Sequence, residues 1–119
     1  MLRGGITIFC TDLVRTRAFY EGQLGMTIHG SDEQGFSATR DGLELHVEGG
    51  ARPRKRGRTF YEEAGVLVRI ETGEFDTFLG DIVGRGVHLM GQVRESDSGR
   101  FAGFVDPDGN LFELIEAVG

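Results

Sequence analysis

Glu44, His46 and Glu48 alternate with Leu43, Leu45 and Val47. In an extended chain alternate residues share a face. A carboxylate, an imidazole and a second carboxylate therefore stand on one side, and three aliphatic side chains on the other. An imidazole beside carboxylates can take a proton, orient a polar ligand, bind a cation, or simply sit ion-paired. An apolar-Glu-apolar triplet recurs at Phe112-Glu113-Leu114, where alternation sets Leu111, Glu113 and Ile115 on one face. A carboxylate drawn into an apolar surface needs a hydrogen-bonding or basic partner, or its pKa rises. Arg69 is the basic partner expected for Glu113. Cys10 follows the packing alternation of its own strand and has no base near it in sequence, which reads as an inert buried thiol. His29 and His88 read as edge or surface residues.

These side chains need elements to hold them. Ile6, Ile8 and Cys10 alternate with Thr7 and Phe9, the pattern of a strand with Gly5, Thr7 and Phe9 on the face away from the packing. Thr11-Asp12 supplies an N-cap, residues 13–24 read as a helix, and Gly25 is its C-cap. Residues 26–29 read as a short strand. Residues 36–39 and 43–48 read as a hairpin across Arg40-Asp41-Gly42. The order then repeats. Val66, Val68 and Ile70 alternate as a strand whose other face carries Gly65, Leu67 and Arg69. Phe75, Phe78, Leu79 and Ile82 have the spacing of an amphipathic helix, which Gly84 and Gly86 end. Residues 87–90 read as a strand and 92–99 as a loop. Residues 100–105 and 110–116 read as strands around Asp106-Pro107-Asp108-Gly109, where proline sets its φ for a turn and glycine takes the left-handed position.

Both halves thus read strand, helix, strand, strand, strand. Ile6-Thr7-Ile8 maps onto Val66-Leu67-Val68, Leu24-Gly25-Met26 onto Arg85-Gly86-Val87, Asp41-Gly42 onto Asp108-Gly109, and Leu43-Glu44-Leu45 onto Phe112-Glu113-Leu114. An internal repeat of this kind outweighs any single motif. The divisions it sets are a first module over residues 1–50, a basic linker over 51–64 and a second module over 65–119, paired in one compact domain. The 20 glycines among 119 residues suit many tight turns between short strands.

Composition narrows the function classes. The net charge is −6, which disfavours nucleic acid as a partner. Five of the 13 basic residues, Arg52, Arg54, Lys55, Arg56 and Arg58, crowd into the linker. That stretch reads as a solvated connection; the sharper reading is an arm that attracts an anionic ligand or an acidic subunit face. No apolar run approaches the ~20 residues of a membrane span, and the N-terminus lacks the apolar core of a signal peptide. A single cysteine excludes an internal disulfide and a cysteine-rich zinc cluster. The expected location is the cytoplasm.

The stretch from Phe104 to Glu116, Phe-Val-Asp-Pro-Asp-Gly-Asn-Leu-Phe-Glu-Leu-Ile-Glu, resembles the closing hairpin of the vicinal oxygen chelate superfamily. That superfamily holds glyoxalase I, bleomycin-resistance proteins, fosfomycin-resistance enzymes and extradiol dioxygenases. The stretch from Thr11 to Tyr20, followed by Leu24-Gly25, resembles its first helix. The resemblance covers nearly the whole chain. It implies an α+β fold of two βαβββ modules, each a mixed sheet curled around a cavity, and a homodimer. It also implies which faces look into the cavity: Glu44, His46 and Glu48 in the fourth strand, and Leu111, Glu113 and Ile115 in the eighth.

In metal-dependent members, ligands come from the starts of the first and fifth strands and from carboxylates in the fourth and eighth. The carboxylate positions match Glu44 and Glu113. The other two align with Gly5 and Gly65, which have no side chain to coordinate with, and Ile6 and Val66 beside them cannot ligate either. Two carboxylates make a weak transition-metal site. No cofactor is therefore favoured; were a divalent metal bound, Glu44, His46 and Glu113 are the set that would hold it. The favoured expectation is metal-independent binding of a small aromatic or amphipathic molecule, a sequestration of the resistance type. Phe9, Leu67, Leu111 and Ile115 would be apolar walls, His46, Arg69, Glu44 and Glu113 polar contacts, and Phe60 and Tyr61 the rim. One alternative is a metal-dependent lyase, isomerase or dioxygenase with Glu44 and Glu113 as catalytic groups. Another is a non-catalytic scaffold with a vestigial cavity.

Overall fold

Pairing of alternating strands with one amphipathic helix builds each half of the chain. The computed structural model describes residues 1–2, 5–52 and 66–117. The chain divides into two compact units, Met1–Lys55 and Arg56–Gly119. The first contains β1 (Thr7–Phe9), α1 (Leu13–Ala18), a π turn (Phe19–Gln23), β2 (Thr27–His29), β3 (Gly35–Arg40) and β4 (Leu43–Glu48). The second contains β5 (Leu67–Thr72), α2 (Phe75–Gly84), β6 (Arg94–Ser96), β7 (Gly99–Val105) and β8 (Leu111–Glu116). The sheets run β1-β4-β3-β2 and β5-β8-β7-β6, with β1 parallel to β4 and β5 parallel to β8. This is the α+β architecture of two βαβββ modules expected from the repeat.

One face of each sheet is a core. In the first unit Ile8, Cys10, Phe36, Ala38, Leu45 and Val47 are buried together with Phe19, Tyr20 and Leu24 of the helical segment. Cys10 is buried and in no disulfide, as its alternation and the single cysteine predict. In the second, Val68, Ile70, Ala102, Phe104, Phe112 and Leu114 are buried with Phe75 and Ile82 of α2, and the Phe104 and Phe112 rings stack at 5.1 Å. The buried Asp106 carboxylate organises the last turn by accepting from the backbone N–H groups of Asp108 and Asn110 and from the Asn110 side chain. Gly109, at φ 83, takes the left-handed position expected of it.

Some expectations from sequence need correcting. The first helix does not run unbroken over 13–24. Asp12 caps it through the Arg15 N–H, but after Ala18 it widens into the π turn, where the Leu24 N–H bonds to the Phe19 carbonyl five residues back. The buried stripe becomes Thr16, Phe19 and Tyr20, and Val14 is left on the surface. Ile6 and Val66, read as packing residues, are 41% and 71% exposed because each stands one residue ahead of the first paired position of its strand. Residues 87–90 form only an isolated bridge, Leu89 to Phe104, and the strand beside β7 is β6, inside the stretch read as a loop. Gly86 and Gly91 bracket the apolar run at φ 103 and φ 85, conformations that interrupt extended pairing. Gly65, Phe60, Tyr61 and the basic run beyond Arg52 lie outside the described residues.

Candidate functional site

Strand register assembles the polar face of the first sheet in rows. Thr7 pairs with His46, His46 with Ser37, and Ser37 with His29. The row on one side is Phe9, Glu48 and Gly35; the row on the other is Glu44, Thr39 and Thr27. Glu44, His46 and Glu48 thus share a face, as alternation requires. Phe9 stands on it 54% exposed.

His46 is held from both sides. Its Nδ1 lies 3.2 Å from the Ser37 hydroxyl, and its Nε2 lies 3.3 Å from a Glu48 carboxylate oxygen. The Glu48 contact is an ion-pair proximity between two half-exposed side chains, and which partner donates between Nδ1 and the Ser37 hydroxyl depends on the ring tautomer. In the next strand His29 Nε2 lies 2.9 Å from the Thr39 hydroxyl. A groove of about 480 Å³ opens here, lined by Gly5, Ile6, Thr7, Ser37, Glu44, Leu45 and His46. A Cβ built on Gly5 would meet nothing within 4 Å, so packing does not demand glycine and the space beside it belongs to the groove. Among the described residues Glu44 makes no side-chain hydrogen bond or ion pair, and its carboxylate is exposed. A second depression, of about 450 Å³, lies by Thr11, Leu13, Glu33, Gln34, Glu48, Gly49 and Gly50.

At the mouth of β3, Asp32 accepts from the backbone N–H groups of Gln34 and Gly35. Those two bonds hold its carboxyl below the usual carboxylate range. The turn it makes delivers Gly35 against β4, where a side chain would collide with the Val47 carbonyl oxygen.

The second sheet presents a different surface. Leu67, Leu111 and Val105 form one row, Arg69, Glu113 and Gly103 the next, and Glu71, Ile115, Phe101 and Arg94 the third. Leu111 is 3% exposed, while Glu113 and Ile115 are half-buried. Register sets Arg69 directly beside Glu113, but its guanidinium turns to Glu71, 3.3 Å away on its own strand. Among the described residues Glu113 forms no side-chain hydrogen bond or ion pair. The expected Arg69–Glu113 pair is therefore not made.

Ser37, Thr7 and Thr39 were not singled out in the sequence. Their signal is there in hindsight. Counting outward from Asp41-Gly42 places Ser37 opposite His46 and Thr39 opposite Glu44.

The description of the Glyoxalase/Bleomycin resistance protein/Dioxygenase superfamily matches residues 4–114. The chain belongs to this superfamily. Among solved structures, a bleomycin-binding protein complexed with bleomycin matches this member with a TM-score of 0.75 at 20% identity, over 99% of this chain and 100% of that one. A protein of unknown function from Agrobacterium tumefaciens matches with a TM-score of 0.74 at 22% identity, covering 99% and 95%. A mutant of the fosfomycin resistance protein FosX from Listeria monocytogenes, complexed with Mn(II) and 1S,2S-dihydroxypropylphosphonic acid, matches with a TM-score of 0.69 at 24% identity, covering 99% and 93%. Comparison with curated proteins finds no match.

A cation such as the Mn(II) of FosX is poorly served by the donors of this superfamily member. Glycine stands at both positions where strand-start ligands are expected, 5 and 65. The Nδ1 of His46 is hydrogen-bonded with Ser37, and its Nε2 faces Glu48 at 3.3 Å. Among the described residues no three His, Cys, Asp or Glu side chains are grouped to hold a metal ion. With glycine at 5 and 65, the donors left at the superfamily's ligand positions are the carboxylates Glu44 and Glu113, a poor set for a transition metal by themselves.

Proposed function

We propose that this glyoxalase-superfamily protein binds a small aromatic or amphipathic molecule without a metal ion. The observation that carries the reading is His46, whose Nδ1 is hydrogen-bonded with Ser37 and whose Nε2 faces Glu48 at 3.3 Å, beside a groove of about 480 Å³. An imidazole with these neighbours can orient a polar ligand in the groove. The volume lies in the range of small-molecule sites, about 300–1,000 Å³. Phe9 offers an aromatic surface on the same face. On the second unit, taken by itself, Leu67 and Ile115 offer apolar surface beside Arg69 and Glu113, whereas Leu111, expected as a wall, is buried. Sequestration of the ligand requires affinity and no chemistry. The likeness in fold to a bleomycin-binding protein makes bleomycin a reasonable first probe. The proposal keeps the module boundaries at residues 1–50 and 65–119, homodimeric assembly and a cytoplasmic location. Among the described residues no helix is long and apolar enough to cross a membrane.

The test is a melting-temperature screen of the full chain against bleomycin, simple aromatic amines and amphipathic dyes, with and without a chelator. At least one compound is expected to raise the melting temperature equally in both conditions. Failure of the whole panel to shift it, or shifts seen only on adding divalent ions, would count against the reading.

A further inference from the structure

The exposed face of the first sheet carries two carboxylates, Glu44 and Glu48, and among the described residues of its strands no lysine or arginine shares that face. Arg40 stands on the other face, where it donates to the Leu24 carbonyl. Glu48 faces the His46 imidazole at 3.3 Å. Glu44 makes no side-chain hydrogen bond or ion pair among the described residues. It lines the groove together with Gly5, Ile6, Thr7 and Ser37. Ile6 leaves apolar surface exposed there. The parallel register that pairs Thr7 with His46, continued two residues back, brings Gly5 level with Glu44. A Cβ at Gly5 would meet nothing within 4 Å, so this corner of the groove is open. A lone surface carboxylate implies no ligand. Here it borders open space, an apolar side chain and two hydroxyls in one groove.

We propose that the groove selects amphipathic cations, with the ligand's ammonium group seated between Gly5 and Glu44 and its apolar body against Ile6. The inference rests on the binding reading and names the charge of the ligand and the residue that recognises it. An ammonium has three donors and no acceptor. The Glu44 carboxylate and the hydroxyls of Thr7 and Ser37 are acceptors for such a group. A hydrogen bond from a cation to a carboxylate is shorter and stronger than one between neutral partners. A neutral alcohol of the same shape keeps the apolar contact and loses the charge. A carboxylate of the same shape brings like charge to Glu44 and finds no lysine or arginine on the face to offset it. Retention of the ligand needs nothing more than these contacts.

The experiment is titration of the full chain, with a chelator present, against naphthylethylamine, naphthylethanol and naphthylacetate, read by ligand-observed NMR. The amine is expected to bind about five-fold more tightly than the alcohol, the upper range for one exposed ion pair, and the acid most weakly. The advantage of the amine should shrink as sodium chloride is raised. Glu44→Gln should bring the amine down to the alcohol and leave the alcohol unchanged. Gly5→Lys supplies an ammonium from the chain itself and should also remove the advantage of the amine. The open space at position 5 allows that side chain, so the variant should melt with the wild type. Equal affinity for amine and alcohol, or an advantage that survives Glu44→Gln, would overturn the inference and leave the binding reading standing. No binding of any of the three would overturn the inference and count against the binding reading as well.

Discussion

His46 owes its orientation to one neighbour along the chain and one across it. Glu48 is two residues on, so the period-two pattern alone sets it on the same face. Ser37 comes from the partner strand, and only the two-residue turn at Asp41-Gly42 tells which residue stands opposite. The first relation is legible from alternation; the second is not, because a turn read across Arg40-Asp41-Gly42 sets Ser37 opposite Leu45, whereas Arg40 in fact pairs with Leu43 inside the strands. The Arg69–Glu113 relation shows the limit of that reading. Adjacency follows from register, but the choice of Glu71 as partner is a matter of side-chain rotamers, which spacing does not encode. Gly35 is a further residue whose role becomes clear only in three dimensions. It is buried opposite Glu48, with β4 backbone where its Cβ would be. Gly35→Ala is expected to destabilise the first unit by about 1–3 kcal/mol, as overpacking against an unyielding backbone does. Denaturant unfolding measures this, and a wild-type midpoint would show that β3 can shift without cost.

At the level of elements, the strand pairs that carry the site were legible and their supports were less so. β4 matches its expected span, Leu43–Glu48, because alternation and the Asp-Gly turn agree. The π turn and the displacement of β6 escape a reading by periodicity. The first changes the residues per turn, and the second depends on glycines whose positive φ ends an apolar run early. The anchoring of α2 to its sheet was also out of reach. Arg100 of β7 makes a bidentate pair with Asp76 in the first turn of α2, at 2.8 and 3.0 Å, bonds to Glu116 of β8 at 2.8 Å, and lies over the Phe75 ring at 4.8 Å. The Arg100 hydrogen bonds hold Asp76 and Glu116 below their usual carboxylate values of 3.8 and 4.5, and the two carboxylates push the guanidinium pKa up. Carboxylates with lowered native pKa stabilise the fold fully above their unfolded values and lose that contribution as pH falls through the native ones. Arg100→Met should therefore lower the melting temperature at neutral pH. Its deficit against the wild type should shrink steadily as the pH is taken below the ordinary carboxylate range. A deficit that stays constant with pH would mean that the clamp acts through packing on Phe75 alone.

For the whole molecule, two βαβββ modules built on an internal repeat give the same plan twice with different chemistry on the exposed faces. The first unit presents Glu44, His46 and Glu48 with hydroxyl partners; the second presents leucine and isoleucine around Glu113 and Arg69. The fold is shared with a bleomycin-binding protein and with FosX. The family and its architecture were thus readable from the closing hairpin and the repeat. The ligand was not, because one fold carries many different sets of side chains on its exposed faces. Glycine at positions 5 and 65 is the ground of the proposal that this chain works without a metal. The most direct test of that claim is elemental analysis of untagged protein purified without chelators, expressed as metal per chain. The account requires transition-metal content far below stoichiometric, with no melting shift on adding divalent ions. A content near one metal per chain would contradict it and would assign Glu44, His46 and Glu113 the ligand roles that the glycines argue against.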